Sequence, residues 1–278
     1  MPSHAVSVPL DDRGLRYGDG LFETMRVQRG GLPFIERHVA RLRDGLRSLR
    51  FPELALSDRE IVQGCVDTAR RNGVENGFLR LAVSRGSGPR GFGPPAAASW
   101  RLTAEVGTGE GGPDMPDPLT CVVAPWRLDA GYPGNRLKSW SALDKVLAMQ
   151  HAQAQGADEC LFLNMDGQLV EGTRANLFLV AGSDIVTPDL ASGPLPGIAR
   201  GLVLELARLA GMTVREAKLP LSSVSEASEM FVTSAFRGVV PVRAVANLAL
   251  PSAPGPVTRA VRQLVEAAMD KAATHAKP

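Results

Sequence analysis

Two residues stand out by type and setting. Lys138 follows a turn-forming stretch, Gly131-Tyr132-Pro133-Gly134-Asn135, and precedes Ser139-Trp140-Ser141 and a helix-like segment. Glu171 ends an alternating stretch and opens Glu171-Gly172-Thr173-Arg174-Ala175-Asn176. A lysine amine can hold an aldehyde cofactor as a Schiff base, and partial desolvation beside a cationic ring lowers its pKa toward proton-transfer work. A carboxylate fixed at a strand end can keep a cofactor's ring nitrogen protonated. Asn176 is placed to hydrogen-bond the returning backbone. Taken singly, such a lysine or glutamate is usually a solvated surface residue.

A phosphate group needs backbone N–H donors, hydroxyls and an arginine. Gly197, Ile198 and Ala199 lie at a helix start, where unsatisfied N–H groups and the dipole favour an anion. Thr233 and Ser234 follow a strand and add hydroxyls and an amide. Arg41 projects from an early helix beside the small Gly45. Each feature alone is a routine cap, turn or surface arginine; together they supply the parts that a pyridoxal 5'-phosphate would require. No Gly-x-Gly-x-x-Gly joins a strand to a helix and no Gly-Lys-Ser/Thr occurs, so a dinucleotide or P-loop site has little support.

The elements that must position these residues follow from pattern. Leu21 to Gln28 reads as a strand, with Leu32 to Ile35 as its hairpin partner beyond Arg29-Gly30-Gly31. Ile35, Val39, Leu42, Leu46 and Leu49 recur at helical spacing. Ser57-Asp58-Arg59-Glu60 is a capping box for a second helix that Asn72-Gly73 stops. Gly77 to Ser84 and Trp100 to Val106 are strand-like around the loop from Arg85 to Phe92. Residues 107–118, rich in Gly and Pro, are expected as a linker between a small domain, 1–106, and a larger one, 119–278. In the latter, Leu143, Val146 and Leu147 mark a helix ending at Gly156, and Asp166-Gly167 turns a hairpin between Cys160–Leu163 and Gln168–Glu171. Ile198, Leu202, Leu206 and Leu209 are expected inward on another helix, and a last helix runs from about Val257 to Ala273. Mixed elements in two unequal lobes give an α/β (α+β mixed) class with a cleft between lobes.

Composition narrows the rest. A formal charge of +2 gives no reason to expect nucleic acid or a membrane surface as partner. Cys65, Cys121 and Cys160 are an unpaired set, read as reduced thiols, and the four scattered histidines offer no metal site. No apolar leader or span is evident, so a cytoplasmic protein is expected.

The chain resembles the class IV, or fold type IV, pyridoxal-phosphate-dependent aminotransferases and lyases. The matching pieces span nearly the whole sequence: Asp12-Arg13-Gly14 with Tyr17-Gly18-Asp19-Gly20-Leu21-Phe22-Glu23-Thr24, His38-Val39-Ala40-Arg41-Leu42, Ser84 to Gly88, Lys138, Gly156-Ala157-Asp158-Glu159, and Glu171 to Phe178. The resemblance implies that Lys138 forms the Schiff base and Glu171 meets the pyridine nitrogen. It also implies that Arg41, the Ile198 and Ala199 amides and Thr233 hold the phosphate. A homodimer with a small N-terminal domain, a larger C-terminal domain carrying a mixed sheet or barrel, and an active site between them is implied as well.

Within that family, branched-chain and D-amino acid aminotransferases usually place a tyrosine shortly after the lysine, a position assigned to Leu143 in this chain. The 4-amino-4-deoxychorismate lyases typically have leucine there, and carry an Arg-Gly-Ser-Gly-x-Arg-Gly-aromatic loop that Arg85 to Phe92 matches. The stretch from Phe231 to Val242 is lyase-like too. Ser141 in place of asparagine, and Ala199 in place of threonine in a Gly-Ile-Thr-Arg motif, depart from the pattern. The resemblance therefore implies conversion of 4-amino-4-deoxychorismate to 4-aminobenzoate and pyruvate, in folate biosynthesis. Arg85, Arg90 and Arg237 are the expected partners of the substrate carboxylates. A class IV aminotransferase acting on D-amino acids, branched-chain amino acids or (R)-amines is the alternative.

Overall fold

The computed structural model describes residues 7–95, 99–109 and 114–275. The chain divides into two compact units, one of Met1–Gly111, Leu137–Ala142 and Met269–Pro278, the other of Gly112–Arg136 and Leu143–Ala268. Leu137–Ala142, expected in the larger domain, thus belongs to the first unit, and Lys138 with it. Of the expected linker, residues 107 and 108 finish a strand, and residues 110–113 lie outside the described residues.

The first unit contains α1 (Arg13–Tyr17), β1 (Gly20–Gln28), α2 (Ile35–Ser48), α3 (Asp58–Arg71), β2 (Asn76–Ser87) and β3 (Ser99–Thr108). The three strands form an antiparallel sheet in the order β1-β2-β3. α2 buries Ile35, Val39, Leu42 and Leu46, as the spacing requires, and α3 starts on the full Ser57–Glu60 capping box. Leu32 to Ile35 forms no strand: only a Gln28–Gly31 bridge closes the turn, and Ile35 already opens α2. A short apolar run beside a turn is ambiguous, and here the helical periodicity claims its last residue.

The second unit contains β4 (Leu119–Leu128), α4 (Leu143–Ala154), β5 (Glu159–Asn164), β6 (Leu169–Gly172), β7 (Asn176–Ala181), β8 (Asp184–Pro188), α5 (Ile198–Leu209), β9 (Val214–Ala217), α6 (Ser223–Glu226), β10 (Glu229–Ser234), β11 (Gly238–Val245), β12 (Leu248–Ala249) and the long α7 (Pro256–His275), whose end from Met269 belongs to the first unit. Its nine-stranded mixed sheet runs β6-β5-β4-β11-β10-β7-β8-β9, with β12 on β11. Register shifts in β4, β5 and β11 add local bends, and the sheet curls into a half-barrel. The Asp166-Gly167 hairpin forms between β5 and β6 as expected. α5 turns its Ala199, Leu202, Val203 and Ala207 inward, whereas Leu209 is 79% exposed, because the helix meets the sheet about one residue off the expected stripe. In α4 the buried residues are Ala148 and Ala152, and Leu143, Val146 and Leu147 are exposed. No helix among the described residues is long and apolar enough to cross a membrane.

Candidate active site

In the first unit, Lys138 lies on a short extended segment fastened beside the start of β1. Its carbonyl accepts the Phe22 N–H at 2.9 Å, Ser139 bridges Leu21, and the Trp140 N–H donates to the Gly20 carbonyl at 3.1 Å. The Trp140 indole Nε1 donates to the Leu21 carbonyl at 3.1 Å. The lysine backbone is thereby fixed by a sheet strand rather than by the loop that precedes it. Lys138 Nζ lies 4.7 Å from the centre of the Phe22 ring, a cation–π contact.

Next to Phe22, β1 carries Glu23 inward. Its carboxylate accepts from His38 Nδ1 at 2.6 Å and takes both Nε and Nη2 of Arg41, at 2.8 and 2.6 Å, in a bidentate fork. Burial alone would raise the Glu23 carboxyl, but the bonds and charges of His38 and Arg41 outweigh it and hold the group at about 2. Burial pushes the His38 imidazole down against the pull of Glu23, and the Arg41 and Lys138 charges push it the same way, so His38 is neutral and donates from Nδ1. Arg41, the arginine expected at the phosphate, is thus held in place by a partner that was not singled out from sequence. The signal was present: a glutamate that alternates with Leu21, Met25 and Val27 on one strand face needs a buried cation.

Arg85 is placed differently from expectation. It is buried, with Nε on Asp19 at 2.8 Å, Nη2 on the Leu49 carbonyl at 2.8 Å, Nη1 on the Arg50 carbonyl at 3.3 Å, and its plane 4.0 Å over Phe51. These contacts occupy its guanidinium within the unit, so we assign it a bracing role and no substrate carboxylate. Arg90 is exposed in the loop beyond it.

In the second unit, Glu171, Asn176, Gly197 and Thr233 come together. Glu171, next to last in β6, is buried; its Oε2 accepts the Leu195 N–H at 3.0 Å and Asn176 Nδ2 at 3.4 Å. Asn176 Nδ2 also donates to the Leu195 carbonyl at 2.9 Å, which fixes the irregular segment leading to α5. Asn176 opens β7 and lies opposite Thr233 of β10. Gly197 caps α5 without a side-chain bond, and a Cβ there would come within 2.0 Å of Asn176 Oδ1. Only glycine lets the helix N-terminus approach this closely. Ile198 and Ala199 follow as the first helical residues, whose N–H groups have no intrahelical acceptor. Thr233 Oγ1 is buried with no hydrogen-bond partner. An orphaned buried hydroxyl opposite a side chain that touches an uncapped helix start fits an anion bound there, and the residues match the phosphate of pyridoxal 5'-phosphate. Ser234 ends β10 and Arg237 lies on the turn after it, where Ser234 Oγ accepts the Arg237 N–H at 3.2 Å.

Two further residues belong to this patch. Lys145 of α4 reaches Glu171 Oε1 at 3.4 Å. Glu159, buried on β5, accepts the N–H groups of Cys160 and Thr173 at 2.9 Å each, and so braces the turn directly after Glu171. Sequence placed Glu159 in a motif but gave it no role, since the contact joins β5 to the turn after β6.

A small α/β unit and a curled mixed half-barrel carrying this patch define the class: a fold type IV, pyridoxal 5'-phosphate-dependent enzyme. The chain belongs to the family described as amino-transferase class IV, whose model matches residues 20–245. It is 33% identical over 242 residues to a putative branched-chain-amino-acid aminotransferase of Methanocaldococcus jannaschii, covering 85% of this chain and 82% of that protein. The solved 4-amino-4-deoxychorismate lyase of Pseudomonas aeruginosa is 31% identical with a TM-score of 0.84, covering 96% of this chain and 97% of the lyase. The solved branched-chain aminotransferase of Escherichia coli is 27% identical with a TM-score of 0.89, covering 95% of this chain and 90% of that one. The enzyme is thus a lyase or a transaminase of class IV.

Proposed function

We propose that the protein is a lyase that converts 4-amino-4-deoxychorismate to 4-aminobenzoate and pyruvate, in folate biosynthesis, as a cytoplasmic homodimer acting on a small molecule, with no nucleic-acid or membrane partner. The observation that carries this reading is the Arg85–Phe92 loop, whose Arg-Gly-Ser-Gly-Pro-Arg-Gly-Phe pattern is lyase-like and which presents Arg90 to solvent for a dicarboxylate. The near-complete mutual coverage with the Pseudomonas lyase supports it. Leu143, where the aminotransferases usually have tyrosine and the lyases leucine, stands at the first position of α4 and is 70% exposed.

When bound, the cofactor supplies an electron sink for the carbon that loses its proton. Arg41, Thr233, Ser234 and the N–H groups of Ile198 and Ala199, with Gly197 allowing close approach, hold the phosphate. Glu171, fixed by Leu195 and Asn176, offers its carboxylate to the ring nitrogen. Lys138 Nζ anchors the cofactor, takes the proton from the amine-bearing carbon and returns one as the enolpyruvyl group departs. The C–O bond breaks with its electrons on the leaving group, which becomes pyruvate, and the ring becomes aromatic; no oxidant is needed. Arg90 and Arg237 are the proposed carboxylate partners.

A class IV aminotransferase is the second reading, favoured by the similarity to the Methanocaldococcus protein. Incubating purified holoenzyme with aminodeoxychorismate and following 4-aminobenzoate separates the two. Product formation is expected; its absence, alongside amine transfer that depends on a keto acid, would overturn the lyase.

A further inference from the structure

The loop from Gly88 to Pro95 contains three glycines and three prolines, with no regular structure and mostly exposed side chains. Its composition alone would let it sample many conformations. The structure instead ties it to α1, a helix of five residues. Arg13, buried within that helix, donates Nη1 to the Gly91 carbonyl at 2.9 Å and Nη2 to the Phe92 carbonyl at 3.0 Å. The Gly91 N–H donates to Tyr17 Oη at 2.9 Å. The Tyr17 and Phe92 rings meet edge to face at 5.6 Å, and the Arg13 guanidinium lies 4.9 Å over Tyr17. Arg13 Nε is itself fixed by Asp19 at 2.8 Å, whose carboxylate is shared with Arg85. Three hydrogen bonds therefore grip the peptide groups immediately after Arg90.

The other side of α1 faces the lysine segment. A Cβ on Gly14 would come within 2.6 Å of the Trp140 ring, and Trp140 follows Lys138 by two residues. At about 1.5 Å of rise per residue, α1 spans only about 7–8 Å. One small element thus packs against the segment bearing Lys138 and fastens the loop bearing Arg90.

We propose that Arg13 and Tyr17 are positioning residues: they hold the Arg90–Phe92 loop in one conformation so that Arg90 can select an anionic substrate. The selection half rests on the reading of Arg90 as a carboxylate partner. The hold on the loop does not.

Two measurements on the holoenzyme test this. Limited trypsin digestion with mass detection reads cleavage at Arg90–Gly91. KM is read with whichever anionic substrate, aminodeoxychorismate or an amino acid, the parent protein turns over. Tyr17→Phe keeps the ring contacts and removes one acceptor; Arg13→Lys removes the two-carbonyl grip. Cleavage is expected to accelerate roughly threefold to tenfold, the scale of one lost hydrogen bond, and more for Arg13→Lys. KM should rise in step while the bound-cofactor absorbance band keeps its position. Should Arg13→Lys not fold, Tyr17→Phe carries the test alone. Unchanged cleavage would overturn the hold on the loop. Faster cleavage with unchanged KM, where Arg90→Ala does raise KM, would overturn the positioning role. If Arg90→Ala also leaves KM unchanged, the substrate reading of Arg90 falls, and the selection half with it.

Discussion

The Glu23–His38–Arg41 cluster of the first unit and the Glu171–Asn176–Thr233 patch of the second are both built from buried polar side chains, yet they settle their charges in opposite ways. In the first, a carboxylate is met by an imidazole and a bidentate guanidinium within the same unit. In the second, a hydroxyl is left without a partner and a helix start is left uncapped. A satisfied network contributes stability and holds its members still, whereas an unsatisfied group costs free energy until a ligand meets it. The first arrangement orients residues, and the second is prepared to bind.

The sharpest break of this comparison is at Lys138, the residue that neither arrangement can replace. Lys138→Ala is expected to lose the absorbance band of the lysine-linked cofactor and to lower turnover by about 10²–10⁴-fold or more, the range for a lost proton-transfer group. An unchanged spectrum would sink the lysine assignment.

The stabilising character of the first cluster is tested by acid. Glu23 is held at about 2, against an ordinary value of 4.5. A depressed carboxylate contributes stability that is present above about pH 4.5 and is lost as pH falls through 2. The depressed His38 acts in the same direction, because it is neutral when folded and gains a proton more readily when unfolded. Urea unfolding from pH 7 to pH 2 should show Glu23→Gln less stable by roughly 3 kcal/mol at neutral pH, with the gap closing in acid. A gap that persists undiminished at pH 2 would mean that packing, not ionisation, makes Glu23 matter.

The smallest effect distinguishes the second patch from the first. Thr233→Val removes an orphaned hydroxyl at nearly constant shape. Without cofactor its thermal stability should be unchanged or slightly raised, while cofactor affinity falls by roughly fivefold. Loss of stability in the cofactor-free protein would show that the hydroxyl is satisfied internally and that the contrast between the two regions is wrong.

Much of this was legible along the chain. The α2 stripe, the α3 capping box and the Asp166-Gly167 hairpin are local signals, each decided by residues a few positions apart, and each appears where its pattern puts it. The bond from Asn176 to Glu171 was not among the expectations, which gave Asn176 a backbone partner, although only one turn separates the two residues. What failed depended on neighbours far along the chain. Leu143, Val146 and Leu147 mark their helix correctly but the sheet buries Ala148 and Ala152 instead, and Leu209, expected inward on α5, is exposed because the sheet takes up a neighbouring stripe.

The residue types and short spacings alone determined the kind of chemistry: a lysine, a strand-end glutamate, and a helix start suited to phosphate. Tertiary structure decided which charges are used up and which stay available. Arg85 and Arg90 are five residues apart in one motif, yet one is buried among Asp19, Phe51 and two carbonyls and the other is presented on a held loop. Nothing in the motif itself separates the two arginines: β2 runs on through Ser87 and takes in Arg85, whereas Arg90 lies in the loop beyond. The partners that neutralise a guanidinium come from distant segments, and only folding brings them within hydrogen-bonding range.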